Sequence, residues 1–156
     1  MLKIKIIVID RTRSPFLKQG ESFYLDRLRR YANAEWLEIK PARITQGRPV
    51  DDILEAEGKL IAKRFVEREY VIALDRSGKV YNSKGLAARI EQLSFHNNRL
   101  TFIIGGPLGL SKGILGNANE VFSLSKLTLT HEMSRLLLLE QLYRSFTIIN
   151  GEKYHK

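Results

Sequence analysis

The sequence contains no cysteine and no long apolar run, and these two absences exclude several classes of protein. Without cysteine the chain has neither a disulfide framework nor thiolate chemistry, and this composition fits a reducing compartment, so we expect a cytoplasmic protein. No stretch approaches the ~20 apolar residues that a membrane span needs. Residues 1–6 alternate like a strand and lack the apolar region of a signal peptide. We therefore expect no membrane partner.

Acidic residues are outnumbered by basic ones. The 156 residues include 26 lysines and arginines against 17 aspartates and glutamates, which gives a formal net charge of +9. This excess favours a polyanionic partner such as RNA. Many small basic proteins carry such charge only for solubility, so both interpretations stay open on composition alone. The length predicts a single domain, residues 1–156, that can bury its own core.

Strand-like and helix-like segments alternate about five times along the chain. Predicted strands cover residues 2–10, 35–39, 70–74, 99–104 and 121–124, and predicted helices cover residues 15–33, 51–65, 82–93, 112–118 and 130–151. This alternation is typical of an α/β fold with a mostly parallel sheet and helices on both faces. Asp51 or Asp52 is predicted to cap the second helix, and Arg76-Ser77-Gly78-Lys79 indicates a turn.

The last predicted helix carries four consecutive leucines at positions 136–139. Four in a row place apolar groups around most of a helix, beyond the stripe that one sheet face would cover. Either a second copy of the chain covers the remaining face, or the helix lies deep inside a single core. The sequence leaves both alternatives open.

A predicted strand runs directly into a glycine-rich loop, Ile104-Gly105-Gly106-Pro107-Leu108-Gly109-Leu110. Glycine permits positive φ and close backbone approach, and small ligands usually bind at the carboxyl edge of an open α/β sheet. The loop is not a P-loop, because Leu110-Ser111-Lys112 has the wrong order and spacing, and it lacks the dinucleotide fingerprint. Taken alone, these glycines would be assigned to turning the chain.

Predicted strands end near Leu74, Ile104 and Leu124, so three loops should meet at one edge of the sheet. Their backbone amides and aliphatic side chains suit adenine and a sulfonium better than a triphosphate. A nucleotide-utilising hydrolase would need a carboxylate cluster for a metal and a phosphate-gripping lysine, and neither is visible, so we expect no metal. His131 is interpreted as a structural residue near a helix start. The terminal Tyr154-His155-Lys156 is either a frayed tail or a segment that folds over a bound nucleotide.

Four segments carry a more specific pattern. They are Ile104-Gly105-Gly106-Pro107-x-Gly109-Leu110, Leu124-Ser125-Lys126-Leu127-Thr128, Glu140-Gln141-Leu142-Tyr143-Arg144-Ser145-Phe146 and the terminal Tyr154-His155-Lys156. In this order the chain resembles the ribosomal RNA large subunit methyltransferase H family of SPOUT methyltransferases. The turn Leu74-Asp75-x-x-Gly78-Lys79 extends the resemblance over nearly the whole chain. The pattern departs at Leu108 and Thr130, where many relatives carry Glu and Pro.

The resemblance implies a C-terminal trefoil knot, a homodimer and S-adenosylmethionine as the methyl donor. The implied activity is methylation of N3 of a pseudouridine in bacterial 23S rRNA, which we expect on the assembled 70S ribosome, with no DNA partner. By motif position, the implied contacts with the methyl donor are Leu74, Gly105, Gly106, Leu124, Ser125, Lys126, Leu127, Thr128 and Leu129.

Catalysis is assigned by hypothesis to the C-terminal part of the chain. His155, contributed across the dimer interface, would act as a base or orient the pyrimidine, and Tyr154 would stack on it. Arg144 and Arg135 would hold a phosphate or the edge of the base. The alternative is a non-catalytic RNA-binding protein that keeps the fold and the charge, and it would bind RNA without measurable affinity for S-adenosylmethionine.

Overall fold

Six consecutive buried residues make β1 (Lys3–Ile9) a central strand, buried on both sides. The computed structural model describes all 156 residues. The other strands are β2 (Asn33–Ile39), β3 (Tyr70–Val80), β4 (Arg99–Ile104) and β5 (Glu120–Ser123). The helices are α1 (Pro15–Leu28), α2 (Val50–Ala62), α3 (Ser83–His96), α4 (Lys112–Asn117) and α5 (His131–Ile149). The sheet order is β2-β1-β4-β3-β5, and every neighbouring pair is parallel.

The side chains of β1 pack alternately into two separate hydrophobic cores. Ile4, Ile6 and Val8 belong to the larger core, which α1, α3 and α5 cover. Ile7 and Ile9 belong to the smaller core, which α2 and α4 cover. Successive residues of a strand point to opposite faces of the sheet, so one buried strand serves both layers. The predicted fold class, a parallel α/β sheet with helices on both faces, is confirmed.

The last helix, α5, lies between α1 and α3 on the larger core. Leu138, Leu139 and Leu142 are fully buried there. No apolar residue of α5 is among the strongly exposed ones. Leu136 and Leu137, in contrast, are only half-buried. Part of the leucine run therefore packs in the core of the chain, and part stays available to a second copy.

Two details of the sequence interpretation are wrong. The predicted cap of α2 by Asp51 or Asp52 is not formed, because the helix begins at Val50 with Pro49 at the N-cap position and no side-chain cap. Proline fixes its own φ and starts the helix, and the two aspartates fall in the first turn, where the helix dipole favours acidic residues.

The predicted turn at residues 76–79 instead lies within β3. Leu74 and Lys79 both pair with Phe122 of β5, and the register shifts between them, so the intervening residues form a bulge. Gly78 is required there, because a Cβ at this position would lie 2.6 Å from the backbone nitrogen and carbonyl carbon of Phe122. The trefoil knot stays a prediction. None of the five helices combines the length and apolar character that crossing a bilayer requires.

Candidate functional site

A cavity of about 860 Å³ lies at the edge of the sheet where β4 and β5 end, beside the bulge of β3. Leu74, Ile104 and Ser123 line it from the sheet, and the β3 bulge after Leu74 and the loops after Ile104 and Ser123 form most of its wall. The first turns of α1 and α5 complete the wall. Small-molecule sites usually measure about 300–1,000 Å³ and often lie at the carboxyl ends of parallel strands. Both the position and the size of this cavity therefore fit a small ligand.

The glycine loop forms one wall of the cavity by folding back on itself. The Gly109 amide donates a hydrogen bond to the Gly106 carbonyl at 3.0 Å, and Gly109 has a positive φ of 87°. A Cβ at Gly105 would lie 2.5 Å from the carbonyl carbon and oxygen of Gly109. Backbone can approach backbone this closely only without a side chain, so Gly105 is needed for the shape of the wall.

The loop after β5 forms the opposite wall and is held by its own side chains. The Ser123 hydroxyl donates to the Ser125 carbonyl at 2.9 Å, and the Ser125 hydroxyl accepts from the Leu127 amide at 3.0 Å. Arg76, which lies in the bulge of β3, donates to the Thr128 hydroxyl at 3.3 Å. This last contact connects the β3 bulge to the loop after β5.

The structure brings the predicted methyl-donor residues together. Leu74, Gly105, Gly106, Leu124, Ser125, Leu127, Thr128 and Leu129 all line this one cavity. Lys126 is the exception, because it is not among the lining residues. The proximity of these residues is a property of the fold, whereas their contact with a methyl donor stays a prediction.

A further part of the wall comes from the first turns of two helices and was missed. Phe16 and Leu17 contribute from α1, and His131 and Glu132 contribute from α5. One signal could have revealed the first pair, since α1 follows the end of β1 after only a short loop and must begin at the same sheet edge. His131, interpreted from sequence as structural, lies in the cavity wall.

Glu132 and Arg135 fix this wall through the loop between β1 and α1. Oε1 of Glu132 accepts the backbone N–H groups of Arg13 and Ser14, each at 3.0 Å. The bond from Ser14 is the main reason why the pKa of Glu132 lies below its usual range. Arg135 is fully buried and donates to the Thr12 hydroxyl at 2.9 Å and to the Ile9 carbonyl at 2.5 Å.

The burial of Arg135 corrects one part of the sequence hypothesis. A guanidinium inside the protein cannot hold an RNA phosphate at the surface, because no part of it is accessible. Thr12, which accepts from Arg135, donates in turn to the carboxylate of Glu21, which is also buried. Arg135 therefore holds the end of β1 and the start of α1 against α5.

The other predicted catalytic residues form a cluster on the C-terminal half of α5. Arg144 pairs with Glu140, with 3.0 Å between Nε and Oε1, and its Nη1 lies 3.2 Å from Nδ1 of His155. The Tyr154 hydroxyl donates to Glu140 at 3.1 Å, and the guanidinium of Arg144 lies 4.7 Å from the Tyr154 ring centroid. Burial is the main cause that raises the pKa of Tyr154. The tail is folded against the helix rather than frayed.

This C-terminal cluster does not line the cavity of its own chain. Arg144 lies 13 positions after His131 on α5, a separation of ~20 Å at a rise of about 1.5 Å per residue. The structure therefore contains two separate candidate regions: the cavity at one end of α5, and the C-terminal cluster towards the other.

The cavity lining fits S-adenosylmethionine. Leucine side chains give an apolar surface for the adenine ring, and the tight glycine loop brings backbone to the wall. Arg76 is the one lysine or arginine of the lining, whereas a triphosphate needs several cations. No group of three or more His, Asp or Glu side chains is arranged to hold a metal ion.

Comparisons with known proteins agree with the fold. A family model described as "Predicted SPOUT methyltransferase" matches residues 2–155. Ribosomal RNA large subunit methyltransferase H of Halothermothrix orenii is 40% identical over 159 residues, covering 99% of this chain and 100% of the relative. The protein of the same name from Thermotoga neapolitana is 38% identical over 154 residues, with 99% of each chain covered.

Two solved structures share the fold at low sequence identity. A probable methylase family protein from Haemophilus influenzae superposes with a TM-score of 0.58 at 15% identity, covering 100% of this chain and 72% of that one. A putative methylase family protein from Neisseria gonorrhoeae gives 0.56 at 13% identity, covering 91% and 82%.

The family match and the parallel sheet define the class: the chain is a SPOUT methyltransferase, and proteins of this class use S-adenosylmethionine. Within that class, the full-length matches show that it belongs to the ribosomal RNA large subunit methyltransferase H family.

Proposed function

We propose that this protein methylates N3 of a pseudouridine in bacterial 23S rRNA, with S-adenosylmethionine as the donor and the assembled ribosome as the substrate. The observation that carries the proposal is the single cavity around which the family's donor-binding segments meet. The relatives are named as methyltransferases of large-subunit ribosomal RNA. The excess of basic residues fits a partner rich in phosphate.

The cavity would hold the donor by its apolar and backbone surfaces. Leu74, Leu124 and Leu129 would contact the adenine ring, and the loop at Gly105 would approach the donor closely. The bound donor supplies a methyl group activated by a positively charged sulfur. The chain's main contribution is alignment, because a held near-attack geometry replaces a bimolecular encounter and can supply several kcal/mol of the barrier reduction.

We further propose that the enzyme is a homodimer in which the C-terminal cluster of one copy faces the cavity of the other. The ~20 Å along α5 prevents one chain from using both regions at once, whereas two antiparallel α5 helices would bring them together. Exposed apolar residues on α1 support an interface beside this helix. Phe16 is 71% exposed and Phe23 is 47% exposed.

In this arrangement, Tyr154 stacks on the target pyrimidine, Arg144 holds a phosphate or the edge of the base, and His155 orients the base or removes its proton. The target must be unpaired or flipped to enter, and a loop nucleotide lowers that cost. Exposed arginines outside the cavity, including Arg11 and Arg13, would grip neighbouring phosphates.

The decisive experiment is a methyl-transfer assay on ribosomes that lack the modification, with the product nucleoside identified by mass spectrometry. We expect 3-methylpseudouridine at a single 23S position. Calorimetry with S-adenosylmethionine separates this function from a non-catalytic RNA-binding protein, which would bind ribosomes but not the donor. Efficient methylation of a short protein-free hairpin would contradict the requirement for the assembled ribosome.

Complementation between two inactive variants tests the shared site. Gly105→Ala damages the cavity, and His155→Ala damages the C-terminal cluster. Co-expression of the two chains with different tags allows the heterodimer to be purified. It retains one undamaged composite site if the cluster acts across the interface, so activity should return to about half of the wild-type value per dimer. A heterodimer as inactive as both parents would contradict the arrangement.

A further inference from the structure

The lining of the cavity contains four ionisable side chains, and three of them are engaged or unsuited to accept a proton. Asp75 accepts from the Ser77 amide at 3.0 Å and from the Ser77 hydroxyl, both through Oδ2, and a carboxylate is a weaker base than an imidazole. Arg76 is a cation that donates to Thr128. Glu132 accepts two backbone amides, which hold its pKa below the usual range and make it a poor base. The fourth ionisable side chain is His131.

His131 is the first residue of α5, and the backbone of the helix fixes its position, whereas its ring does not. Thr130 caps the helix by accepting from the Met133 amide at 3.1 Å, so the position of His131 is fixed. The ring is half-buried, and neither nitrogen takes part in a hydrogen bond within the chain. An imidazole that lines a ligand cavity without a partner has a free lone pair to offer.

The surroundings of His131 keep its ring neutral. Burial is the main cause that lowers the pKa of His131, and the nearby positive charge of Arg135 adds to it. Glu132 and Asp10 act in the opposite direction with smaller effects. The helix N-terminus also disfavours a positive charge at this position. At neutral pH the ring is therefore in the form that can accept a proton.

We propose that His131 is the catalytic base that removes the N3 proton of the target pyrimidine, an inference that rests on the proposed function. As N3 forms its bond to the methyl carbon, the bond between carbon and sulfur breaks and its electron pair stays on sulfur. The N3 proton moves to a ring nitrogen of His131, and the imidazolium then releases it to water. The base and the methyl donor thus belong to the same chain.

This assignment leaves His155 with the task of orienting the base. Its Nδ1 lies 3.2 Å from the Arg144 guanidinium, which donates to it and uses that lone pair. His155 also lies outside the cavity of its own chain and reaches a donor only through the dimer. A base on the chain that binds the donor already lies beside the donor and does not depend on the second copy.

The test is single-turnover methyl transfer on unmodified ribosomes with saturating S-adenosylmethionine, measured from pH 5 to 9 for wild type and three variants. Wild type should lose rate at acid pH, with a midpoint below the usual histidine value, and level off above it. His131→Gln should be roughly 10²-fold slower, because general-base catalysis typically contributes that much. Its rate should rise steadily with pH instead of levelling off.

His96→Gln is the matched control, since His96 lies exposed at the end of α3, and it should match wild type. Calorimetry should give the same S-adenosylmethionine affinity for His131→Gln and wild type. The inference is overturned if His131→Gln keeps the wild-type pH profile, if it loses donor affinity in proportion to rate, or if His155→Gln alone removes the acid limb. A wild-type protein that methylates no ribosome refutes the proposed function itself.

Discussion

Replacing Gly105 with alanine tests whether the tight glycine loop holds the methyl donor. The new Cβ would lie 2.5 Å from the carbonyl carbon and oxygen of Gly109 and 3.0 Å from its Cα. Ordinary carbon contacts are about 3.5–4.0 Å, so the loop would have to open by about 1 Å. The atoms it meets are backbone, which cannot move aside as a flexible side chain does.

The size of the effect follows from the cost of overpacking, which is typically about 1–3 kcal/mol. If the loop binds the donor only in the conformation described above, this cost weakens donor binding directly. The apparent dissociation constant for S-adenosylmethionine then rises by about 5- to 150-fold, since each ~1.4 kcal/mol is tenfold. Isothermal titration calorimetry measures the change directly, with no RNA present.

Gly116→Ala is the matched control for this substitution. Gly116 lies in α4 with nothing within 4 Å of its Cβ position, and alanine is a better helix former by roughly 0.5–1 kcal/mol. It should bind the donor as wild type does and be equally or slightly more stable. If Gly105→Ala binds S-adenosylmethionine within twofold of wild type, the loop does not act as the structure indicates.

Three further substitutions test how the site is supported. Gly78→Ala places a Cβ 2.6 Å from Phe122 backbone and should lower the free energy of unfolding in urea by about 1–3 kcal/mol; an unchanged midpoint would contradict the bulge. Arg135→Met strands buried polar groups and should cost about 3–5 kcal/mol; a loss below 1 kcal/mol would show that the network contributes little. Glu132→Gln should destabilise by about 1 kcal/mol at pH 7. Because the pKa of Glu132 is lowered from 4.5, its contribution is fully present above pH 4.5 and is lost as the pH falls through the lowered pKa, so thermal melts of the two proteins should converge only at a pH below 4.5.

Local signals predicted most of the elements. The strand at residues 99–104 was predicted with the bounds it has, because it is a short β-rich run between polar turns. The helices predicted to begin near residues 112 and 130 begin there, because Ser111 and Thr130 cap them, each accepting an amide three residues on. Such caps depend on four neighbouring residues, so the sequence contains all the information they need.

The predictions that failed depend on contacts between residues that are far apart in the sequence. Gly78 and its neighbours have the composition of a turn, yet pairing with Phe122, more than 40 positions later, extends β3 through them. The contact between Arg135 and the Ile9 carbonyl spans 126 positions, and nothing in the local sequence distinguishes this buried arginine from Arg144, which is only partly buried on the same helix. The predicted strand ends were enough to locate the cavity. The part of its wall that α5 forms depends on how this helix packs against α1 and α3, which the local sequence does not show.

The C-terminal cluster is ordered before any partner meets it, and this bears on how a composite site would form. Glu140 accepts from both Arg144 and Tyr154, and Arg144 in turn contacts His155. Immobilising a flexible side chain on association usually costs about 0.5–1.5 kcal/mol each. Here that ordering is already complete within each folded chain. A second copy would therefore meet a preformed surface, so that dimerisation would only have to bring the cavity and the cluster into register.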